Sequence, residues 1–126
     1  LMSISPKLAN STLRNDPRDP TGAWGVRHEE RRLNIPVLQE LLGRYPSPAH
    51  QLKFVVSSAV ATDLAEIEAI LGQLRGWRPG DILLMPEGGR PPTAEHKAAV
   101  VAACVARGWR YCARLHIDLF GNKRGT

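Results

Sequence analysis

Asp81-Ile82-Leu83-Leu84-Met85-Pro86-Glu87-Gly88 is the stretch that decides the fold. Asp81 to Met85 is nearly all apolar, the pattern of a parallel-sheet strand covered on both faces. Pro86 to Gly89 ends it, because proline cannot donate to a ladder. Downstream, Thr93 has the side chain to cap a helix, which carries Ala99, Val100, Ala103 and Cys104 inward and stops at Gly108. A further strand is expected from Arg110 to Phe120. There Tyr111, Leu115, Ile117 and Leu119 share one face, and Cys112, Arg114, His116 and Asp118 share the other. A face with that many titratable groups looks onto water, a ligand or a polar cavity.

Upstream, Leu52, Phe54 and Val56 alternate with Lys53 and Val55, which reads as a strand ending at Ser57-Ser58. A helix is expected from Asp63, with Glu66 completing a start like a capping box and Leu64, Ile67, Ile70, Leu71 and Leu74 as its buried stripe. An earlier helix is expected over Ile35 to Leu42, with Pro36 in its first turn. Residues 9–27 are rich in breakers and read as one long loop that Trp24 pins to the body, base stacking being the alternative role for that ring. His28 to Arg32 reads first as a solvated charged segment, with His28 and Glu29 as metal ligands the alternative that two adjacent residues support weakly. Leu1 to Ser5 reads as a strand already under way, and the chain as the C-terminal part of something longer. The order is β-α-β-α-β-α-β, which argues a parallel sheet with right-handed crossovers, doubly wound or half of a barrel.

The chain has 126 residues and a formal charge of +5, a balance that favours anionic partners or is simply a solvated surface. No block of five or six like charges appears, so a nucleic-acid arm is weakly supported. No apolar run approaches about 20 residues, so no membrane span is expected. Cys104 and Cys112 make neither a disulfide framework nor a zinc or iron-sulfur spacing. Cys104 reads as a small core residue. With no signal-peptide pattern, a cytoplasmic location is expected.

In a parallel barrel the carboxyl ends of the strands form the site. Here those ends are Ser5-Pro6-Lys7, Ser57-Ser58, Pro86-Glu87-Gly88 and the segment after His116. Ser5 and Lys7 can hold a ribose hydroxyl or a carboxylate, or form an ordinary turn with a surface lysine. Glu87 either faces the cavity or caps the next loop. His116 is a general acid, a ligand donor or a hydrogen-bonded structural residue. Arg114 pairs with Glu87 or Asp118, or faces an anionic substrate.

The run Asp81 to Gly88, with Arg110 to Thr126 and with Ser3-Ile4-Ser5-Pro6-Lys7-Leu8, resembles the C-terminal half of 7-carboxy-7-deazaguanine synthase, a radical SAM family of queuosine and 7-deazapurine biosynthesis. The likeness runs along the chain except in the 9–27 loop. It implies an open partial (β/α) barrel, of which residues 1–126 are the second half. It also implies S-adenosylmethionine contacts from Ser5, Pro6, Lys7, Ser57, Ser58 and Ala59, and a pterin-substrate contact from the terminal carboxylate of Thr126. In one branch of the family proline and glutamine stand where this chain has Ser57 and Ser58. The complete enzyme, as the resemblance implies, is a lyase that uses S-adenosylmethionine, a [4Fe-4S] cluster and magnesium, and is commonly a homodimer. The three cluster cysteines and the magnesium ligand belong to the other half, so no catalytic or metal residue is expected here, and the chain alone is expected to be inactive. The rival readings are a non-catalytic nucleoside-binding module or decayed paralogue, and a basic nucleic-acid-binding domain.

Overall fold

The structure is a computed structural model and describes residues 1–125. Strands β1 (Met2–Ile4), β2 (His50–Val56), β3 (Ile82–Pro86) and β4 (Arg110–Tyr111) form one sheet in the order β1-β2-β3-β4. All neighbouring pairs are parallel. Helices α1 (Ala23–Arg31) and α2 (Ile35–Arg44) connect β1 to β2, α3 (Val60–Gly72) connects β2 to β3, α4 (Ala94–Arg107) connects β3 to β4, and α5 (Leu115–Phe120) follows. Sheet order equals chain order. Right-handed crossovers that all step the same way place every helix on one face, whereas a doubly wound sheet reverses and covers both. The fold is therefore α/β and singly wound, the geometry of a partial (β/α) barrel.

The register shows which face is covered. Leu52, Phe54 and Val56 of β2 and Ile82 and Leu84 of β3 are all 0% exposed. They pack with Leu38 and Leu42 of α2, Ile67, Ile70 and Leu71 of α3, and Val100, Ala103 and Cys104 of α4 in a single core. The alternate residues line the other face. Gln51 beside Ser3, Met85 beside Val55, and Leu83 between Lys53 and Arg110 stand there. Leu83 lies outside the core cluster. The apolar run of β3 is nonetheless buried on both faces as its sequence suggests, with Leu83 only 8% exposed on the face outside that core.

Three expectations about elements are corrected. The strand expected over Arg110 to Phe120 pairs only at its start. Cys112 gives its N–H to the Leu84 carbonyl at 2.8 Å, and the next rung of a parallel ladder needs the N–H of residue 86. Residue 86 is proline and has none, so the ladder stops. The chain then turns into α5, which buries Ile117 and closes at Gly121, where φ is 67°. A period of two over five residues did not distinguish strand from a short helix.

The second correction concerns residues 9–27, which are not one loop. Ala9–Ser11 is a 3-10 turn, and α1 begins at Ala23. Trp24 does not pin this region, since it is 67% exposed. Buried Asp19 does so, accepting from Trp24 N at 3.3 Å and Gly25 N at 2.9 Å and so capping α1. Gly25 is required there because a β-carbon would overlap the Leu13 carbonyl oxygen.

The third correction is the start of α3. The helix begins at Val60, with Ala59 as its cap, and Asp63 sits inside the first turn. The ends of α4 and the start of α2 match expectation, whereas α2 runs past Leu42 to Arg44. Asn34 caps α2 with Pro36 just behind it, and Thr93 and Gly108 bound α4.

Candidate functional site

Because every strand is parallel, the carboxyl ends of β1, β2 and β3 meet along one rim. Ser5 donates its hydroxyl to the Lys53 carbonyl at 3.1 Å, which locks the β1 turn to β2 and leaves the oxygen lone pairs as acceptors. Pro6 is buried, whereas Lys7 is exposed and its ammonium has no acidic partner among the described residues. Ser57 is committed elsewhere. Its N–H and its hydroxyl both reach Oδ2 of buried Asp63 at 2.7 Å. Asn10 Nδ2 reaches the same oxygen at 2.9 Å and the Val55 carbonyl at 3.0 Å. Asp63, unremarked as a site residue in the sequence, thus ties the Ser57-Ser58-Ala59 turn to the segment after Lys7. Ser58 is exposed and lines a separate groove with Thr93 and His96, and Ala59 is the cap of α3.

A cleft of about 250 Å³ opens at this rim, lined by Lys7, Asn10, Ser11, His28, Val55 and Glu87. Glu87 is therefore a cavity residue, fixed by its own N–H on the Val56 carbonyl at 2.8 Å. Arg114 pairs with neither Glu87 nor Asp118. It donates from Nη1 to the Gly88 carbonyl and holds that loop against the end of β4. His116 is exposed on α5, and its side chain makes no hydrogen bond among the described residues and lines no part of the cleft. Thr126 lies outside the described residues. The cleft brings together Pro6, Lys7 and Glu87 and adds Asn10, Ser11 and His28, which sequence reasoning did not place at the rim, while Ser5 adjoins it on the β1 turn without lining it.

Those additions arrive because α1 lies along the rim. His28 Nε2 is 2.9 Å from Ser11 Oγ, Thr12 donates to Glu29 at 2.6 Å, and Arg32 donates to the Lys7 carbonyl at 3.0 Å. Arg32 also bridges Glu29 at 2.8 Å and Glu66 of α3 at 2.7 Å, and Glu66 accepts from Ala9 N. The stretch read as solvated charge is thus a buckle between α1, the rim and α3. The i,i+3 spacing of Glu29 and Arg32 was its only sequence signal.

The Arg32 guanidinium, aided by the Thr12 hydroxyl, lowers the Glu29 carboxyl to about 2. A carboxyl depressed on folding contributes stability that is complete above its ordinary value of 4.5 and fades as pH falls toward 2. Arg32→Gln is therefore expected to flatten the acid limb of the stability curve over that window, as read by urea unfolding at stepped pH. An unchanged limb would show that the buckle does not hold Glu29 charged.

The chain's two cysteines do not fit an iron-sulfur cluster. Cys104 is buried in the core, and burial pushes its thiol up, away from the thiolate a ligand must be. Among the described residues no group of three His, Cys, Asp or Glu is placed to hold a metal ion. No helix among them is long and apolar enough to cross a membrane.

Fold and rim together define a class: a singly wound parallel α/β segment with its polar cleft at the carboxyl ends, as in (β/α) barrels. The chain is 38% identical over 134 aligned residues to the 7-carboxy-7-deazaguanine synthase of Halobacterium salinarum, and 36% identical over 129 to that of Rhodopirellula baltica. All of the chain is covered in both, but only 50% and 46% of the relatives. The chain is a homologue of the 7-carboxy-7-deazaguanine synthases and spans about half of their length, consistent with the C-terminal half. No family model matches it, and no solved structure does.

Proposed function

We propose that this chain is the part of a 7-carboxy-7-deazaguanine synthase that holds the nucleoside end of S-adenosylmethionine and closes the substrate pocket. The complete reaction in this reading converts 6-carboxy-5,6,7,8-tetrahydropterin to 7-carboxy-7-deazaguanine with loss of ammonia, in the cytoplasm, by a homodimer. In the complete enzyme an iron-sulfur cluster, S-adenosylmethionine and magnesium would supply the radical chemistry when bound. Two cysteines do not make a cluster site, and no group among the described residues is placed to hold the ion.

What the chain's own residues do is bind and orient. The observation that carries the reading is the rim: Lys7 has no acidic partner among the described residues, Glu87 faces the same cleft, and Ser5 on the adjoining β1 turn has lone pairs left as acceptors. A cation beside two acceptors suits a polyhydroxylated, partly anionic ligand. Ser57 does not join them, because both its donors are spent on Asp63. From that turn the reading keeps backbone contacts at Ser58 and Ala59. Substrate contact by Thr126 belongs to the same proposal.

The test is S-adenosylmethionine binding by calorimetry, on the chain alone and mixed with the uncovered half of the Halobacterium synthase. Loss of one charge-assisted hydrogen bond in Lys7→Ala is expected to weaken binding about tenfold. Equal affinity for Lys7→Ala and the unaltered chain would remove the rim assignment. No binding in either arrangement would favour a decayed module.

A further inference from the structure

We infer that His28 is a specificity residue of this rim, recognising one hydroxyl of a vicinal diol on a nucleoside ribose. The inference deepens the reading above and rests on it. Ser11 has one hydroxyl proton and two neighbours. Its oxygen is 2.7 Å from the Leu8 carbonyl, which can only accept, and 2.9 Å from His28 Nε2. Two acceptors facing each other at 2.7 Å with no proton between them repel, so the Ser11 proton goes to Leu8. His28 Nε2 must then carry the ring proton and donate to Ser11 Oγ. This assigns the tautomer from the network, and it leaves Nδ1 as a bare acceptor.

His28 and Glu87 line the same cleft as Lys7. In this tautomer the lining combines a histidine acceptor, a carboxylate acceptor and a cationic donor. A cis-diol presents two O–H donors and spare lone pairs, which is the complement of that set. A phosphate is a poorer match, because it presents acceptors where the site needs donors. The ring is fixed from below by Ser11, itself held in the 3-10 turn, and α1 is held by Arg32 on the Lys7 carbonyl. The acceptor is therefore preorganised and does not need to be recruited by the ligand.

Adenosine and 3′-deoxyadenosine, with 2′-deoxyadenosine in parallel, are titrated into the chain paired with the uncovered half of the Halobacterium synthase. Removal of the recognised hydroxyl is expected to cost the unaltered chain about tenfold in affinity. His28→Phe keeps the ring volume and is expected to bind adenosine about as weakly as the deoxy compound, with no discrimination left. His28→Asn, which returns an acceptor near Nδ1, is expected to restore part of it. A mere structural role would lower affinity for all three nucleosides alike and leave their ratio intact, which would overturn the inference. Undiminished discrimination in His28→Phe, with binding lost in Lys7→Ala, would sink the role of His28 while leaving the rim reading in place. If no nucleoside binds the unaltered pair, both readings fail.

Discussion

Replacing Asp63 with alanine is expected to lower the unfolding free energy by about 3 kcal/mol and to abolish ordered binding at the rim. One oxygen of this carboxylate, which is 4% exposed, accepts from Ser57 N, Ser57 Oγ and Asn10 Nδ2. Removing it leaves those donors without their acceptor in a site largely closed to water. The cost of unsatisfied donors exceeds the net worth of the bonds themselves. Two consequences separate energetics from position. Asp63→Asn keeps an acceptor oxygen and is expected to recover about half of the loss. Ser57→Ala removes only the hydroxyl bond and is expected to cost about 1 kcal/mol. The functional effect should exceed that of Ser57→Ala, since Asn10 leads directly into the Ser11 and His28 pair. Urea unfolding of the three variants decides it. An Asp63→Ala midpoint within error of the unaltered chain would show that the rim is not organised by this residue.

The other large effect lies in the core. Phe54→Ala is expected to cost about 3–5 kcal/mol, the range for deleting a buried aromatic side chain. Phe54 is 0% exposed at the middle of β2, the strand that pairs with both β1 and β3. Its ring faces the helix-covered side, in the core that also holds residues of α2, α3 and α4. A cavity there loosens every crossover at once, and the parallel sheet has no second core on its other face to compensate. Lys53→Ala, one residue away on the open face, is expected to change stability by less than about 0.5 kcal/mol. The pair of measurements thus tests the one-sidedness of the fold. Similar losses for both variants would mean that the open face is packed after all.

Much of the fold was legible because it rests on long periodic segments. The stripe of α3, the cap and stop of α4 and the alternation of β2 follow from apolar spacing and from Thr93 and Gly108. What was not legible is non-local. The end of β4 depends on the missing N–H of Pro86 in a neighbouring strand, and no pattern within Arg110 to Phe120 reports that. Helix α1 is short and mostly polar, and it is held by Asp19, Glu66 and the Lys7 carbonyl, partners distant or unremarkable in sequence. The candidate site divides in the same way. Ser5, Lys7 and Glu87 were readable as strand ends, since parallel topology sends all such ends to one rim. Asp63 was misread as a helix start, and His28 as part of a charged run, because their roles are set by contacts across the fold. Trp24 misled for the opposite reason: a large apolar residue in a loop suggests an anchor, yet a buried carboxylate does that work here.

The homologues carry the account from a rim to a reaction, and half of their length lies outside this chain's match. The most direct measurement is therefore complementation. The chain is mixed anaerobically with the uncovered half of the Halobacterium synthase, reconstituted with iron and sulfide, and supplied with magnesium, S-adenosylmethionine and 6-carboxy-5,6,7,8-tetrahydropterin. The account expects 7-carboxy-7-deazaguanine to form in the mixture, to be absent from either half alone, and to fall about tenfold with Lys7→Ala at subsaturating S-adenosylmethionine. A folded, associated mixture with an intact cluster that forms no product would contradict it.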